Sequence, residues 1–141
     1  MVSAIRRSSG NGASRVRLLI RGFATYGDAM SIAVAIEDLA EAIRQQIGWC
    51  YLLTVSDSAQ ARLLAIAPAW DSAGMSLQAV VGQRTADNVN ARPNVCMVWP
   101  PADARGYSLI ADGIAIVDEL TITFTPTSAV LHRSAVAEQP S

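Results

Sequence analysis

The sequence predicts a mainly β fold, an antiparallel barrel that is closed or partly closed and carries few helices. Six short apolar or alternating runs are separated by turn-forming sequences, as in chains whose strands are joined by hairpins. Only two segments are predicted to be helical. The chain has 141 residues and is 51% apolar, which is enough to bury the core of one such domain.

The six predicted strands lie between residues 49 and 126. In the second of them, 62–70, even and odd positions face opposite sides of the sheet. Pro68 has no backbone N–H to donate to a neighbouring strand, so this strand lies at an edge or is bulged there. Residues 71–74 have turn chemistry and predict a hairpin between the second and third strands. The predicted strands are 49–56, 62–70, 75–81, 94–101, 106–118 and 121–126.

The pair Asp112-Gly113 inside the run 106–118 has two interpretations. Asp-Gly between two apolar runs is a strong hairpin signal. A glycine inside one long strand instead marks a bulge. The residues alone leave both alternatives open.

The first predicted helix begins at Ile36. Apolar residues recur at three- and four-residue steps and so share one face, with acids early and Arg44 late, as the helix dipole favours. Gly48 is a natural end. The residues of this face are Ile36, Leu39, Ala40, Ile43 and Ile47.

The first 28 residues differ in composition from the rest of the chain. They hold five arginines and one acid, for a net charge of +4, whereas the remainder holds six arginines and eleven acids, for −5. We expect residues 1–29 to be an extension outside the fold: upstream sequence before a start at Met30, a disordered tail or a targeting segment. The predicted domain is then 30–133, with a flexible tail over 134–141.

Composition also limits the classes of partner and site. The net charge of −1 and the absence of an apolar run long enough to span a membrane predict neither a nucleic-acid nor a membrane partner. Cys50 and Cys96 lie in strand-like runs without zinc spacing, so we expect free, buried thiols in a reducing cytoplasm. A disulfide would require their strands to be neighbours.

No catalytic side chain is predicted. The single histidine, His132, is interpreted as solvated rather than as a base or a haem ligand, and no Ser/His/Asp order favours a hydrolase. Trp70 and Trp99 are expected to pack in the core or at the barrel rim, although they could also flank a ring system.

The segment 80–101 holds the candidate site. Thr85 is predicted to cap a short helix, from Ala86 to Arg92, which Pro93 ends. A helix start beside the Arg84 guanidinium is an anion site, but a capped surface helix with a solvated arginine explains the same residues.

Residues 30–133 resemble the pyridoxamine 5′-phosphate oxidase-like family, the FMN-binding split β-barrels, which include actinobacterial flavin- and deazaflavin-dependent members. The resemblance rests on the order and spacing of four segments. These are YLLTVSDSAQARLLAIAPAWD, VVGQRTADNVNARPNVCMVWPP, GYSLIADGIAIVD and TITFTPTSAVLHR. It implies a six-stranded antiparallel split barrel in which 106–118 is one continuous strand.

The resemblance also implies a set of cofactor-binding residues. Arg84 and Thr85 match the positions that hold the cofactor phosphate, with Gln83 beside them and Asn88 facing the same loop. Where family members often place a lysine, this chain has none, and Arg62 is the candidate second cation. Residues expected to edge or line the isoalloxazine are Ala67, Pro68, Ala69, Val80 and Val81.

The activity that the resemblance implies is oxidoreduction by hydride transfer with bound FMN or, alternatively, a deazaflavin coenzyme. The substrate would be a small molecule, and the site would lie at the interface of a homodimer. The alternative is a non-catalytic flavin- or ligand-binding protein, or a structural homodimer, of the same fold.

Overall fold

The computed structural model describes residues 2–7, 16–20 and 31–133. Within the N-terminal extension, β1 (Val2–Arg7) and β2 (Val16–Ile20) pair as an antiparallel two-stranded sheet, separate from the main sheet. The C-terminal tail predicted to be flexible, 134–141, lies outside the described residues. The domain limits therefore remain a prediction.

The remaining elements form an antiparallel, mainly β domain with two helices, which confirms the predicted fold class. All six predicted strands are present. In chain order the elements are β3 (Ser31–Val34), a 3-10 turn (Ile36–Asp38), α1 (Leu39–Arg44), β4 (Cys50–Val55), β5 (Ala61–Ile66), β6 (Ala69–Asp71), β7 (Ser76–Val80), α2 (Gln83–Ala91), β8 (Asn94–Trp99), β9 (Tyr107–Asp118) and β10 (Thr121–Arg133).

The main sheet has eight strands because the predicted strand 62–70 is divided and β3 is added. The strand order is β5-β4-β8-β9-β10-β7-β6, and β3 pairs with the far end of β10. The edge strands β5 and β6 are separated by only Ala67 and Pro68, so the sheet curls until its two edges meet. Proline cannot donate to a ladder, which explains why the division falls there.

The strand alternation predicted for 62–70 is confirmed on both sides of this division. Arg62 is opposite Thr54 and Ile66 is opposite Cys50, which places them on the inner side of the sheet. Trp70 is opposite the buried Leu77 and packs against the core. The largest fully buried side chains are Trp99, Phe124, Leu39, Leu52, Leu77, Met97, Leu109 and Ile122.

The first helix is shorter than predicted. A 3-10 turn replaces its first three residues, and the α-helix ends at Arg44, where Gln45 donates to the carbonyls of Ala42 and Ile43. Leu39 and Ala42 are its buried residues, so the helix covers the core with less than two turns.

The strand β9 passes through Asp112-Gly113 without a turn, as the resemblance implies. A Cβ on Gly113 would overlap the carbonyl oxygen of Thr125 and lie 2.7 Å from Cζ of Phe124. The irregularity lies in the partner strand, between Pro126 and Ser128. Glycine is therefore required because the Phe124 ring occupies the space of a side chain.

Substitution of Gly113 by alanine is expected to lower the free energy of unfolding by about 1–3 kcal/mol, because the new methyl group overlaps backbone and ring atoms. Urea denaturation measures the change. The control is Gly48→Ala, where an added Cβ meets no atom within 4 Å. Equal stability of the two variants would contradict the close approach.

Candidate functional site

A cleft of about 540 Å³ lies between the β4–β5 hairpin and the start of α2. It brings together two segments of the chain that are separated by residues 65–83. Of the ten predicted cofactor-binding residues, four line it: Arg62, Arg84, Thr85 and Asn88. The other lining residues are Thr54, Ser56, Asp57, Ser58, Leu63, Leu64 and Asp87.

The helix that borders the cleft begins earlier than predicted. Its N-cap is Gly82, with extended backbone, and Ala86 N–H donates to the Gly82 carbonyl at 3.0 Å. The prediction of Thr85 as N-cap is wrong, because α2 starts at Gln83, almost directly after β7, and Thr85 is its third residue. The first N–H groups of a helix have no intrahelical acceptor and can bind an anion.

Arginines approach the cleft from both sides. Arg84 is exposed in the first turn of α2, and Arg62 projects from the inner side of β5. Arg62 donates one hydrogen bond to the Gln60 side-chain oxygen, so four of its five N–H donors are left for other acceptors. The structure thus brings the predicted second cation to the predicted phosphate position.

Hydroxyl groups form the opposite wall of the cleft. The buried Thr54 hydroxyl accepts from the Asn88 amide at 3.2 Å, which fixes the predicted residue Asn88 against β4. Ser56 and Ser58 hydroxyls lie 3.0 Å apart in the hairpin turn. Sequence reasoning missed these three residues, although a threonine at an inward position of an apolar strand was a usable signal.

Two carboxylates also line the cleft, and each has a partner. Asp87 accepts a hydrogen bond from the Gln83 side chain at 2.9 Å. Asp57 forms a salt bridge with Arg92, with an N–O distance of 2.8 Å. Gln83 therefore interacts with Asp87 rather than lining the cleft.

The residues predicted to contact the isoalloxazine form a separate group. Ala67 and Pro68 connect the edge strands, and Ala69 is opposite Gln78 in the β6–β7 pair. Val80 is exposed, whereas Val81 is buried and donates to the Leu120 carbonyl at 2.8 Å. None of these residues lines the cleft.

Both cysteines are free, as predicted, and Cys50 is buried whereas Cys96 is only half-buried. Burial, followed by the proximity of Cys96, raises the pKa of Cys50 to about 12. Burial, followed by the Asp112 carboxylate, raises the pKa of Cys96 to about 11. Their strands are neighbours, but Cys96 is opposite Leu53, three residues from Cys50.

Other predicted chemistry lies away from the cleft. His132 Nδ1 is 3.1 Å from the Ser31 hydroxyl, between β10 and β3. Over 2–7, 16–20 and 31–133, no group of three or more His, Cys, Asp or Glu side chains could hold a metal ion. In the same part of the chain, neither helix has the length and apolar character of a membrane span.

Two uncharacterized mycobacterial proteins are related to this chain in sequence. The one from Mycobacterium bovis is 32% identical over 108 residues, covering 66% of this chain and 76% of the relative. The one from Mycobacterium tuberculosis matches with the same identity and the same coverage. No protein-family profile matches the chain.

Solved structures with the split-barrel fold superimpose on this chain. A candidate pyridoxamine 5′-phosphate oxidase from Listeria innocua has a TM-score of 0.57 at 17% identity, covering 71% of this chain and 100% of its own. The FAD binding protein from Mycobacterium smegmatis has a TM-score of 0.53 at 16% identity, covering 73% and 99%. An F420 reductase has a TM-score of 0.51 at 18% identity, covering 63% and 94%.

Alkylation of the native protein at neutral pH is expected to be at least about a hundredfold slower than that of a free thiol, because raised pKa values leave almost no thiolate. Mass spectrometry of iodoacetamide-treated protein measures this rate. Protein unfolded in guanidinium is the control, in which both thiols should react. Modification of native Cys96 at the free-thiol rate would contradict the assigned environment.

Proposed function

Because the chain belongs to the same family as the two mycobacterial proteins and has the pyridoxamine 5′-phosphate oxidase-like split-barrel fold, we propose that it binds a phosphorylated flavin-type cofactor. The cofactor is FMN or a deazaflavin coenzyme. The proposed activity is oxidoreduction of a small molecule by hydride transfer.

One observation carries the proposal: Arg62 and Arg84 line a single cleft together with the start of α2. Guanidinium groups bind phosphate through paired, charge-assisted hydrogen bonds, and the helix N–H groups add donors of the same polarity. The Thr85 hydroxyl and the serines of the hairpin supply further polar contacts. The residues present therefore fit a phosphate group.

In this proposal the protein binds and orients, and the flavin-type ring supplies the hydride chemistry when it is bound. Arg62 and Arg84 hold the phosphate, which fixes one end of the cofactor. Ala67–Ala69, Val80 and Val81 are proposed to border the ring. Val80 ends β7 and, with Val81, directly precedes α2 along the chain, while Ala67 and Pro68 lead into β6, which begins at Ala69 and pairs with β7.

A ligand-binding protein without turnover is the second candidate. The residues that line the cleft account for the binding of an anion, and none of them is assigned a part in hydride transfer, which favours this candidate. Titration of the protein with FMN and with the deazaflavin coenzyme, followed by mixing the complex with a hydride donor, separates the candidates. Binding without reduction or oxidation of the ring would favour the second.

The proposed partner is a second copy of the chain, and the outer face of the sheet supports it. Five of the eight large apolar side chains found exposed in the described part of the chain project from this face: Tyr51, Leu63, Val80, Ile114 and Ile116. Ile114 and Ile116 are two positions apart on β9 and so lie side by side on this face, and clustered exposed apolar side chains commonly mark a protein interface. Leu63 also lines the cleft, so a partner covering this face would border the cofactor.

A cytoplasmic location is also part of the proposal. Its support is the free state of both cysteines, which is usual in a reducing compartment.

Replacement of Arg84 or Arg62 by alanine is expected to weaken FMN binding by about tenfold or more, because each removes charge-assisted hydrogen bonds to phosphate. Fluorescence titration measures the dissociation constant. Riboflavin, which has no phosphate, should lose little affinity in the same variants. The matched control is Arg105→Ala, an exposed arginine outside the cleft. Unchanged FMN affinity in both cleft variants would refute the phosphate site.

Replacement of Ile116 by aspartate is expected to weaken the proposed dimer by at least about 2 kcal/mol, because it places a charge in the apolar contact. The Ile116 side chain is 70% exposed, so the monomer should keep its fold. Sedimentation equilibrium measures the association. Met75→Asp is the control, since Met75 is exposed in the β6–β7 turn with φ of 50°, where aspartate is tolerated. Equal association of the two variants would place the interface elsewhere.

A further inference from the structure

Arg92, directly after α2, makes two contacts with the hairpin that forms the other side of the cleft. Its Nε donates to the Val55 carbonyl at 2.7 Å, and a terminal nitrogen donates to the Asp57 carboxylate at 2.8 Å. The side chain does not line the cleft itself. One guanidinium thus connects the end of the helix to the end of β4.

A second contact from the same helix supports this connection. Asn88, four residues before Arg92 and on the same helix face, donates to the buried Thr54 hydroxyl at 3.2 Å. Ala86 and Val89 are fully buried beneath the helix. The helix is therefore positioned by packing and by Asn88 as well as by Arg92, which leaves Arg92 available for an electrostatic role.

Asp57 is the residue whose negative charge Arg92 can offset. Asp57 lines the cleft on the same side as Arg62, at the hairpin that joins β4 and β5. A carboxylate there would repel a ligand phosphate, and its side chain is 94% exposed, so no other burial or packing restrains it. Arg92 is its salt-bridge partner and neutralises this charge at short range.

We propose that Arg92 is a specificity-determining positioning residue: by pairing with Asp57, it prevents this carboxylate from opposing a phosphorylated ligand in the cleft. The proposal rests on the proposed function, because it concerns the same anion site. Arg92 would then influence whether the cleft accepts a negatively charged ligand, although it does not contact the ligand.

The test compares FMN affinity in the full-length wild-type protein with that of Arg92→Gln, Asp57→Asn, the double variant and Arg92→Lys. Arg92→Gln is expected to weaken FMN binding by about two- to fivefold at low salt, the range expected for an exposed charge pair. Asp57→Asn should restore that loss in the double variant. The penalty should disappear in about 0.5 M salt, because exposed charges are then screened.

Arg92→Lys separates charge from geometry. Lysine keeps the positive charge beside Asp57 but lacks the planar fork that donates to both Val55 and Asp57. We expect its FMN affinity to stay closer to wild type than that of Arg92→Gln. Thermal unfolding of each variant verifies the fold. If Arg92→Gln does not fold, a loss of more than fivefold in folded Arg92→Lys overturns the proposal.

Three other outcomes also overturn it. The first is an Arg92→Gln variant that binds FMN as wild type does. The second is a loss that Asp57→Asn does not restore, since Arg92 would then act through Val55 alone. The third is a loss of affinity for riboflavin that equals the loss for FMN, because riboflavin has no phosphate on which the Asp57 charge could act. Failure of the wild-type protein to bind either FMN or the deazaflavin is distinct from these, and would refute the proposed function together with this inference.

Discussion

The close antiparallel pairing of β9 and β10 is the constraint on which the rest of the structure depends. Both strands are long, and they remain paired from the Asp118–Thr121 turn to Tyr107 and Arg133. The first part of β10 also pairs with β7, and the last part pairs with β3. Gly113 lets the Phe124 ring lie against β9, and the irregularity after Pro126 separates these two sets of partners.

This pairing determines where the cleft forms. Because β10 holds β7, the chain that leaves β7 enters α2 at a fixed point, and α2 packs through Ala86 and Val89 onto the core. On the other side, β9 holds β8 and β8 holds β4, whose end carries Thr54 and the hairpin turn. The two walls of the cleft are thus joined through the sheet and directly through Asn88, so ligand groups can meet a preformed arrangement.

The sequence predicted the features that depend on local patterns. Alternation over 62–70 was sufficient to place Arg62 on the inner side, and the turn at 71–74 was sufficient to separate the second and third predicted strands. The preference of threonine for the N-cap position predicted the wrong start for α2. The helix begins at Gln83, because β7 ends just before it and Gly82 is the N-cap. Ser56 and Ser58 could not be predicted for the site, since only long-range pairing brings them opposite Arg84, whereas the inward position of Thr54 in an apolar strand was a usable signal. The four-residue β3 has too few positions for its alternation to be recognised.

The absence of lysine from the chain bears on how the cleft is built. Arg62 and Arg84 reach the cleft, whereas Arg92 is directed to the Val55 carbonyl and the Asp57 carboxylate, and the difference follows from the acceptors that each arginine meets. A planar guanidinium can satisfy a carbonyl and a carboxylate at once, while an ammonium group would be a single point of charge. Arginine therefore supplies both the cations of the cleft and the salt-bridge partner of Asp57. Which of these roles an arginine has depends on the acceptors that lie near it in the fold.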